Sequence, residues 1–572
     1  MSDITKVFNY PIPNTTLGAA WPNEVIDNID PTPLFDIYVD SVDGSDSNDG
    51  LTEATALKTI SAITWENNIK VGVKYGSYFR EQIIVDTYTG IEIDVYGNPE
   101  DKLPTFDAAD VFDGVWTNDT GNIWYADITT IDSQYTMYNS LWKNGVRMEW
   151  VSNTGNLTTN DHYFVAEAST NPTYLARFYI YSDIDPNTNN ALYEYASRHY
   201  GVNLGDNCKI SRIRTKRQLH NNGSTIIGNG SQANFCIFED GVKHNSYIGR
   251  NATAFECIAY KHDLPRRTNA TLFVGHTQDG IGQKVSFYNC LAIAEADKSQ
   301  WAYDNNVGVT GFYAHTSGAS AKWDEIDIFD CTVANCNLGI SVADVVSLTS
   351  GRNWIHDCYG AISAVSDKII AQDTKITDET HSIVRGLYLE NSEDAIIQRL
   401  RIYVKHPTNH AMIYDVSDGG KCIVQNSALL LDKNAPNGFN YFLRMLDSGR
   451  GIQLQNNIFY AYDRDCAGIR TPNSAANMWT PENYWGGTDN YDYDIGGVWK
   501  GNYPAALAEP SYGYLFNDNI CVDYGPSCIT DMANGDFTTV AGSDAANLNA
   551  GIGTTDDVVY KPIPTYAEID AM

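Results

Sequence analysis

A short pattern centred on cysteine recurs through the middle of this chain. In each copy an aromatic or aliphatic residue precedes one or two polar positions and a cysteine, and a small or β-branched residue follows two positions later. The cysteines are Cys236, Cys257, Cys290, Cys331 and Cys358. Imperfect repetition of strand-like units predicts the stacked coils of a solenoid. The successive spacings are 21, 33, 41 and 27 residues, so two intervals carry long loops, where function is expected.

The chain has eleven cysteines, an odd number. Cysteines that recur at one phase of a strand repeat predict a buried thiol ladder, because parallel Cβ vectors do not suit the disulfide dihedral angle. Two close pairs, Cys331/Cys336 and Cys521/Cys528, have no companion His or Cys at zinc spacing. We therefore predict no metal site formed by these cysteines.

Composition narrows the possible partners. The 38 basic and 71 acidic residues give a net charge of −33, which disfavours nucleic acid and anionic membranes as partners. No run of 18 apolar residues is present, so no membrane insertion is expected. The first residues, MSDITKVFNYPIPNTT, lack the basic and apolar parts of a signal peptide. Many Gly, Asn, Asp and Thr residues favour short strands and turns.

Changes in sequence pattern divide the chain into five segments. The expected segments are an N-terminal arm or attachment segment (1–36), a cap with the first coils (37–110), a hairpin-rich β insertion (111–195), a main solenoid of nine or ten coils (196–470), and terminal coils with a cap (471–572). Within the first coils, an amphipathic helix is expected from about Leu57 to Ile63.

Four motifs follow one another in the second segment: YVDSVDGSDSNDG, KTISAI, VGVKYGSYFREQIIV and YGNPEDKLPTFD. In this order they resemble the N-terminal cap and first coils of the pectate-lyase-like β-helix family. The resemblance extends over about residues 37–555. It implies an all-β fold: a right-handed parallel β-helix with a small antiparallel β insertion near the N-terminal end and a β-rich C-terminal cap.

The family's acidic, glycine-rich turn is present near the start of the coils. Its residues are Asp43, Gly44, Asp46, Asn48, Asp49 and Gly50. Alternating acidic side chains are compatible with calcium, but the spacing is not that of a calcium loop, and we favour a hydrogen-bonded turn. No other cofactor is predicted.

Alignment of the coils on cysteine predicts a group of candidate catalytic residues. Outward strand positions include His262 and Glu295, while Asp263 and Asp297 lie where the strands enter the long loops. Because adjacent coils are about 4.8 Å apart, these four side chains are expected to share one patch. Carboxylates about 5 Å apart suit a retaining glycosidase, and about 6.5–9.5 Å an inverting one. Asp304 is a further candidate. Acidic residues at solenoid corners are also common in an acidic chain.

The two long loops and the strands beside them combine aromatic and basic residues. Rings stack on sugar faces and cations hold acidic groups, so this combination indicates a carbohydrate site. Packing of the aromatic residues against the solenoid is an equal alternative for each residue taken singly. The candidate substrate-binding residues are Arg266, Arg267, His276, Lys298, Trp301, Tyr303, Tyr313, His315 and Trp323.

Within the family, an acidic chain with a short N-terminal arm is most similar to a bacteriophage tailspike or polysaccharide depolymerase. The resemblance implies a homotrimer in the virion tail that acts outside the cell and contacts other tail proteins through its arm. It also implies binding and cleavage of a bacterial surface polysaccharide, a capsule, O-antigen or exopolysaccharide. We expect hydrolysis by paired carboxylates.

Three alternatives remain open at the level of the sequence. The first is a polysaccharide lyase that acts by β-elimination on a uronate polymer, with its base among Arg266, Arg267, Lys298, His262 and His315. The second is a glycan-binding or structural virion protein without catalysis. The third is a bacterial polysaccharide lyase exported by another route.

Overall fold

A computed structural model provides the structure of the chain. It describes residues 35–128, 140–167, 176–219, 225–241, 243–262, 270–277, 283–295, 308–316, 322–378, 385–404, 411–417, 420–431, 441–445, 451–455, 457–461, 467–471, 484–486, 493–495, 498–500, 515–517, 529–531, 536–541, 558 and 560–572. No helix among these residues is long and apolar enough to cross a membrane.

The chain is a parallel β-helix, which confirms the predicted fold class. Each coil contributes one strand to each of three parallel sheets, numbered 1 to 3 in the order in which the coil visits them. One coil consists of His244–Ile248, Ala252–Phe255 and Ile258–Lys261. These strands pair in register with the corresponding strands of the next coil. The backbone hydrogen bonds therefore run along the solenoid axis, from coil to coil.

Sheets 1 and 2 share two long strands, Leu338–Gly351 and Gly360–Gln372. The other strands of sheet 1 are Ile83–Val85, Val202–Leu204, Thr225–Ile227, His244–Ile248, Ala270–Thr277, Val309–Thr316, Arg385–Glu390, Ala411–Asp415, Tyr441–Met445, Ala467–Thr471 and Tyr493–Ile495 with its antiparallel partner Val498–Lys500. The other strands of sheet 2 are Ile37–Val39, Lys70–Lys74, Glu92–Tyr96, Lys209–Ser211, Gln232–Asn234, Ala252–Phe255, Lys284–Tyr288, Trp323–Phe329, Asp394–Gln398, Lys421–Gln425, Gly451–Gln455 and Leu515–Asn517.

Sheet 3 has the most regular strands. They are Tyr78–Phe79, Thr105–Asp107, Arg214–Lys216, Ile237–Glu239, Ile258–Lys261, Leu291–Ala294, Thr332–Ala334, Trp354–His356, Lys375–Thr377, Arg401–Val404, Ala428–Leu431, Ile458–Ala461 and Tyr484–Gly486. Among the described residues, ten of these strands lie between positions 200 and 470, which agrees with the predicted nine or ten coils.

The turn from sheet 2 to sheet 3 explains the cysteine repeat. One residue per coil adopts a left-handed conformation there, for example Glu256, Asn289, Asp330 and Arg352. The next residue points into the core: Cys257, Cys290 and Cys331 do so in three successive coils, and the corresponding position in the fourth coil is Asn353. Cys358 instead follows the sheet 3 strand Trp354–His356, as Cys336 follows Thr332–Ala334. Its assignment to the repeat was wrong, and the true spacing after Cys331 is 22 residues.

The solenoid interior is a continuous apolar core. Phe238, Phe273, Phe287 and Phe312 are buried and pack on one another, with Phe273 and Phe312 stacked at 5.0 Å between ring centroids. The eight cysteines of the described residues are all buried and free. The predicted burial of the thiol ladder is therefore confirmed.

A mainly antiparallel insertion leaves the solenoid after the second coil. Its strands are Ala109–Val111, Thr117–Thr120, Ile123–Ile128, Leu141–Lys143, Val146–Arg147, Glu149–Trp150, His162–Glu167, Ala176–Tyr181 and Tyr193–Ala196, with a 3-10 turn at Thr154–Asn156. A buried ion network joins the insertion to the coils: Arg217 binds Asp107 and Glu194, and Arg80 binds Glu194.

The N-terminal coil departs from the sequence prediction in one element. The predicted helix at Leu57–Ile63 is absent; the chain forms two short 3-10 turns, Glu53–Thr55 and Ile60–Ala62. Leu57 instead forms a β-bridge to Val39 and is buried, because the apolar side chains close the open end of the core. The acidic turn is hydrogen-bonded to the segment that follows it: Asp46 accepts from the amides of Lys58 and Thr59.

The C-terminal residues 560–572 form a strap along the outer face of sheet 3. The strap includes the helix Tyr566–Ala571, which begins with a capping box between Thr565 and Glu568. Its path runs back toward the N-terminal coils: the hydroxyl of Tyr560 donates to the carbonyl of Asp373, and the last carbonyl, of Met572, accepts from the amide of Leu103. Beneath the strap lies a second apolar cluster, which contains Ile237, Ile258, Tyr260, Leu291, Ile293, Ala334 and Ile569. A hairpin, Ile529–Asp531 with Asp536–Thr539, precedes the strap in the sequence.

Candidate active site

Two of the predicted catalytic residues, His262 and Glu295, lie next to each other at the loop edge of sheet 3. His262 follows the strand Ile258–Lys261, and Glu295 follows Leu291–Ala294 one coil further on. Lys261 and Ala294 are paired in register, and the amide of Glu295 donates to the carbonyl of Lys261. The cysteine spacing therefore predicted the proximity of these two residues correctly.

Glu295 is exposed and held by one phenol. The hydroxyl of Tyr260 donates to Oε1 of Glu295 at 2.8 Å. Burial, followed by the hydrogen bond to Glu295, raises the pKa of Tyr260, so its hydroxyl keeps its proton and remains a donor. The rings of Tyr260 and His262 pack edge to face, with 4.7 Å between their centroids. These contacts orient a solvent-accessible carboxylate at the entrance of the long loop.

His262 is paired with a buried aspartate. Nδ1 of His262 lies 2.9 Å from Oδ2 of Asp240, and the His262 amide donates to Oδ1 of the same carboxylate. Burial opposes both charges, yet the hydrogen bond between the two groups raises the pKa of His262 and lowers the pKa of Asp240. The protonated imidazolium is therefore favoured, and it adds positive charge beside Glu295.

The strap contributes a third aromatic residue to this site. The centroid of the Tyr566 ring lies 3.9 Å from that of the His262 ring and 5.0 Å from that of the Tyr260 ring. Its hydroxyl donates to Oε1 of Glu239 at 3.1 Å, and Glu239 also forms an ion pair with buried Arg214. Burial raises the pKa of Tyr566. Residues from three coils and from the C-terminus thus surround the imidazole.

Three residues missed by sequence reasoning belong to this site: Glu239, Asp240 and Tyr566. Alignment of Cys236 with Cys257 would have found Glu239, which pairs in register with Tyr260, and Asp240 is the next residue along the chain. No local signal marks Tyr566, because its contacts depend on the path of the strap.

The same group offers potential metal ligands. One ligand atom from each of Glu239, Asp240 and His262 lies within 4.8 Å of the others. Each of these residues already has a partner, however, because Glu239 binds Arg214 and Asp240 binds His262. The donor set therefore fits an ion-pair network, and a cation would have to displace the guanidinium of Arg214.

The candidate substrate-binding residues divide into three groups. Tyr313 and His315 are half-buried on sheet 1, with their rings stacked at 4.6 Å. The backbone of His276 pairs in register with His315. Trp323 is fully buried in the solenoid core, and its Nε1 donates to the carbonyl of His315. Its prediction as a sugar contact was wrong, because an interior ring presents no face to a ligand.

The other candidates lie outside the described residues, so their roles stay predictions. They are Asp263, Arg266, Arg267, Asp297, Lys298, Trp301, Tyr303 and Asp304.

Comparison with known proteins gives distant matches in fold. No protein-family model matches the chain, and no curated protein matches it. Among solved structures, XylC in complex with xylose matches at 12% identity over 78% of each chain, with a TM-score of 0.47. A structure described as a glycoside hydrolase matches at 10% identity over 76% of this chain and 94% of that chain (TM-score 0.30). A GH136 lacto-N-biosidase from Eubacterium ramulus matches at 13% identity over 76% of this chain and 64% of that chain (TM-score 0.27). No functional assignment follows from these values.

Proposed function

We propose that this protein binds a bacterial surface polysaccharide and cleaves its glycosidic bonds by hydrolysis. The observation that carries the proposal is the exposed carboxylate of Glu295, which is fixed by Tyr260 beside the His262–Asp240 pair at the entrance of a long loop. A positioned and exposed carboxylate is one of the two carboxyl groups that acid–base cleavage of an acetal requires.

The proposal gives each residue a distinct role. Glu295 is one of the two carboxylates that glycoside hydrolysis needs, and the second is a loop residue, Asp263 or Asp297. Asp240 is not that second carboxylate, because it is buried and bound by His262. His262 and Tyr260 are positioning residues that hold the carboxylate and set the charge around it.

The biological setting proposed here follows from the resemblance described above. The protein acts as a homotrimeric bacteriophage tailspike, outside the host cell, with residues 1–36 as its attachment to other tail proteins. Analytical ultracentrifugation tests this part, because a monomer would favour an exported bacterial polysaccharide lyase.

The cleavage experiment uses purified protein and surface polysaccharides from candidate hosts. We expect new reducing ends without absorbance from an unsaturated uronate. Both signals together would instead identify a lyase. Neither signal, across polysaccharides that the protein demonstrably binds, would refute catalysis and support a purely glycan-binding or structural role.

A variant series assigns the site. Glu295→Gln should lower turnover by about 10²-fold or more while binding and fold persist, because an amide cannot exchange the proton. Glu92→Gln is a matched control, since Glu92 is an exposed glutamate on sheet 2 paired only loosely with Lys70. Asp297→Asn tests the second carboxylate. Unchanged turnover in both Glu295→Gln and Asp297→Asn would remove this site from consideration.

A further inference from the structure

A row of half-buried side chains crosses the outer face of sheet 1. The row contains Tyr313, Ser341, Ser363, Tyr388 and Tyr414, which are paired in register on five successive coils. All five are partly accessible to solvent. Adjacent strands are about 4.8 Å apart, so Tyr313 and Tyr388, which flank the two serines, are separated by about 14 Å. The small serine side chains leave a shallow depression between these tyrosines.

One end of this depression carries a cation beside two aromatic rings. The rings of Tyr388 and Tyr414 lie 5.6 Å apart and are tilted by 31°. The guanidinium of Arg385 lies 4.9 Å from the Tyr388 ring centroid and 5.4 Å from that of Tyr414. Glu390 accepts a hydrogen bond from the hydroxyl of Tyr388 at 3.0 Å, which fixes that ring.

Arg385 differs in its partners from several other arginines of the coils. Arg212 and Arg352 each bind an aspartate on a neighbouring coil, at 2.6 and 2.5 Å. Arg385 has no ion pair with any of the residues that the structure describes, and its Nε is buried without a hydrogen-bond acceptor among them. In a chain of net charge −33, a partly accessible guanidinium with no carboxylate partner among the described residues is a group available to an anion.

We propose that Arg385, Tyr388 and Tyr414 form a binding site for a carboxylate-bearing sugar, so that the protein recognises an acidic polysaccharide. Arg385 binds the carboxylate, the tyrosine rings contact sugar faces, and Ser341 and Ser363 form the floor on which the neighbouring sugar units lie. This inference rests on the proposed function, because it assumes that the ligand is a glycan. In backbone register, the positions that follow Tyr414 on the next two coils are Arg444 and Arg470.

The test measures the mobility of the folded full-length protein in native gels that contain a polymer. The probes are polygalacturonate, alginate and hyaluronan, each compared with its carboxyl-methylated, neutral form. We expect at least one acidic polymer to retard the protein, its neutral form to retard it less, and added salt to reduce the difference. Arg385→Gln should weaken binding about tenfold to a hundredfold.

Three further variants separate the site from a general loss of folding. Tyr414→Ala removes one of the two rings and should bind more weakly, whereas Lys421→Gln, which removes an exposed positive charge on sheet 2, should bind as the parent protein does. Arg385→Lys keeps the charge but loses the planar contact and should fall between the parent and Arg385→Gln. Circular dichroism spectra should be the same for all variants.

The proposal is overturned if none of the three acidic polymers binds better than its neutral form, or if Arg385→Gln binds as the parent does. Its failure is distinguishable from failure of the proposed function. Glu295→Gln should leave this binding intact while it abolishes cleavage; a loss of cleavage in Glu295→Gln together with unchanged binding in Arg385→Gln refutes only the acidic-sugar site. Arg385-dependent binding without any cleavage refutes only catalysis.

Discussion

Substitution of Ile569 by alanine should release the C-terminal strap from sheet 3. The Ile569 side chain is fully buried in the apolar cluster between the strap and the sheet, together with Ile237, Ile258 and Leu291. Because the strap carries Tyr566 into the candidate site, its release should also remove the Tyr566–His262 contact. One buried side chain therefore links the stability of the strap to the site.

The magnitude follows from the atoms removed. Alanine lacks three of the carbons of isoleucine, and each buried carbon contributes about 0.8 kcal/mol. The cavity adds to this loss where the surroundings cannot close, which gives about 2–4 kcal/mol for Ile569→Ala. At about 1.4 kcal/mol per factor of ten, the opening constant of the strap should rise about 30-fold to 1000-fold.

Hydrogen exchange measured by mass spectrometry checks this value segment by segment. Peptides from the strap and the peptide containing Leu103, whose amide binds the carbonyl of Met572, should exchange faster in Ile569→Ala. Peptides from the core of sheet 2 should not change. Ala567→Ser is the matched control, because Ala567 is an exposed position of the same helix. Equal exchange of the strap in Ile569→Ala and the parent would refute the proposed docking.

Arg217→Met should lower the free energy of unfolding by about 3–5 kcal/mol, because it removes the buried cation that Asp107 and Glu194 share. Arg177→Met, at a more exposed pair, should cost at most about 1 kcal/mol. Equal urea midpoints for the two variants would contradict this difference. The contribution of the His262–Asp240 pair to the free energy of unfolding should be greatest between about pH 4 and 6.5, as urea midpoints measured across this range would show. The contact with Asp240 raises the pKa of His262, so its stabilisation of the fold is complete below the unfolded-state pKa of His262 and is lost as pH rises through the folded-state value. The same contact lowers the pKa of Asp240, so its stabilisation is complete above the unfolded-state pKa of Asp240 and is lost as pH falls through the folded-state value. His262→Gln should remove the loss of stability at the high-pH end. Alkylation of the folded protein should modify at most three of the eleven cysteines, since eight are buried, and labelling of any of those eight without unfolding would show that the coils open.

The cysteine repeat predicted the fold because it reports a backbone requirement as well as a buried side chain. The left-handed residue before each inward position fixes the turn between sheets 2 and 3, and the thiol that follows fills the core. The inward position of this residue is more constrained than the type of side chain that occupies it. Asn353 takes the place of a cysteine, and its side-chain amide donates hydrogen bonds to the carbonyl of Ile328 and the hydroxyl of Ser350. A search for cysteine alone therefore selected Cys358, which belongs to a different turn.

Side-chain accessibility was harder to predict than strand phase. Periodicity alone places Ile258 and Tyr260 on the outer face of sheet 3, and they do lie there, but the strap covers both. The prediction that Trp323 contacts sugar was wrong for a related reason. Its neighbours in the sequence are loop residues, yet its own side chain faces the core. Contacts between segments some three hundred residues apart, such as Tyr566 with Glu239, leave no periodic trace.

The strap also limits the direction from which a polymer can reach Glu295. It covers the outer residues of sheet 3 from Ile237 to Ala334, so a polysaccharide cannot lie along that face while the strap is docked. Glu295 is exposed at the edge where the chain leaves sheet 3 for sheet 1. The half-buried row from Tyr313 to Tyr414 lies on sheet 1. A polysaccharide bound along that row would therefore approach the Glu295 carboxylate from the sheet 1 side, because the strap blocks the sheet 3 side next to His262.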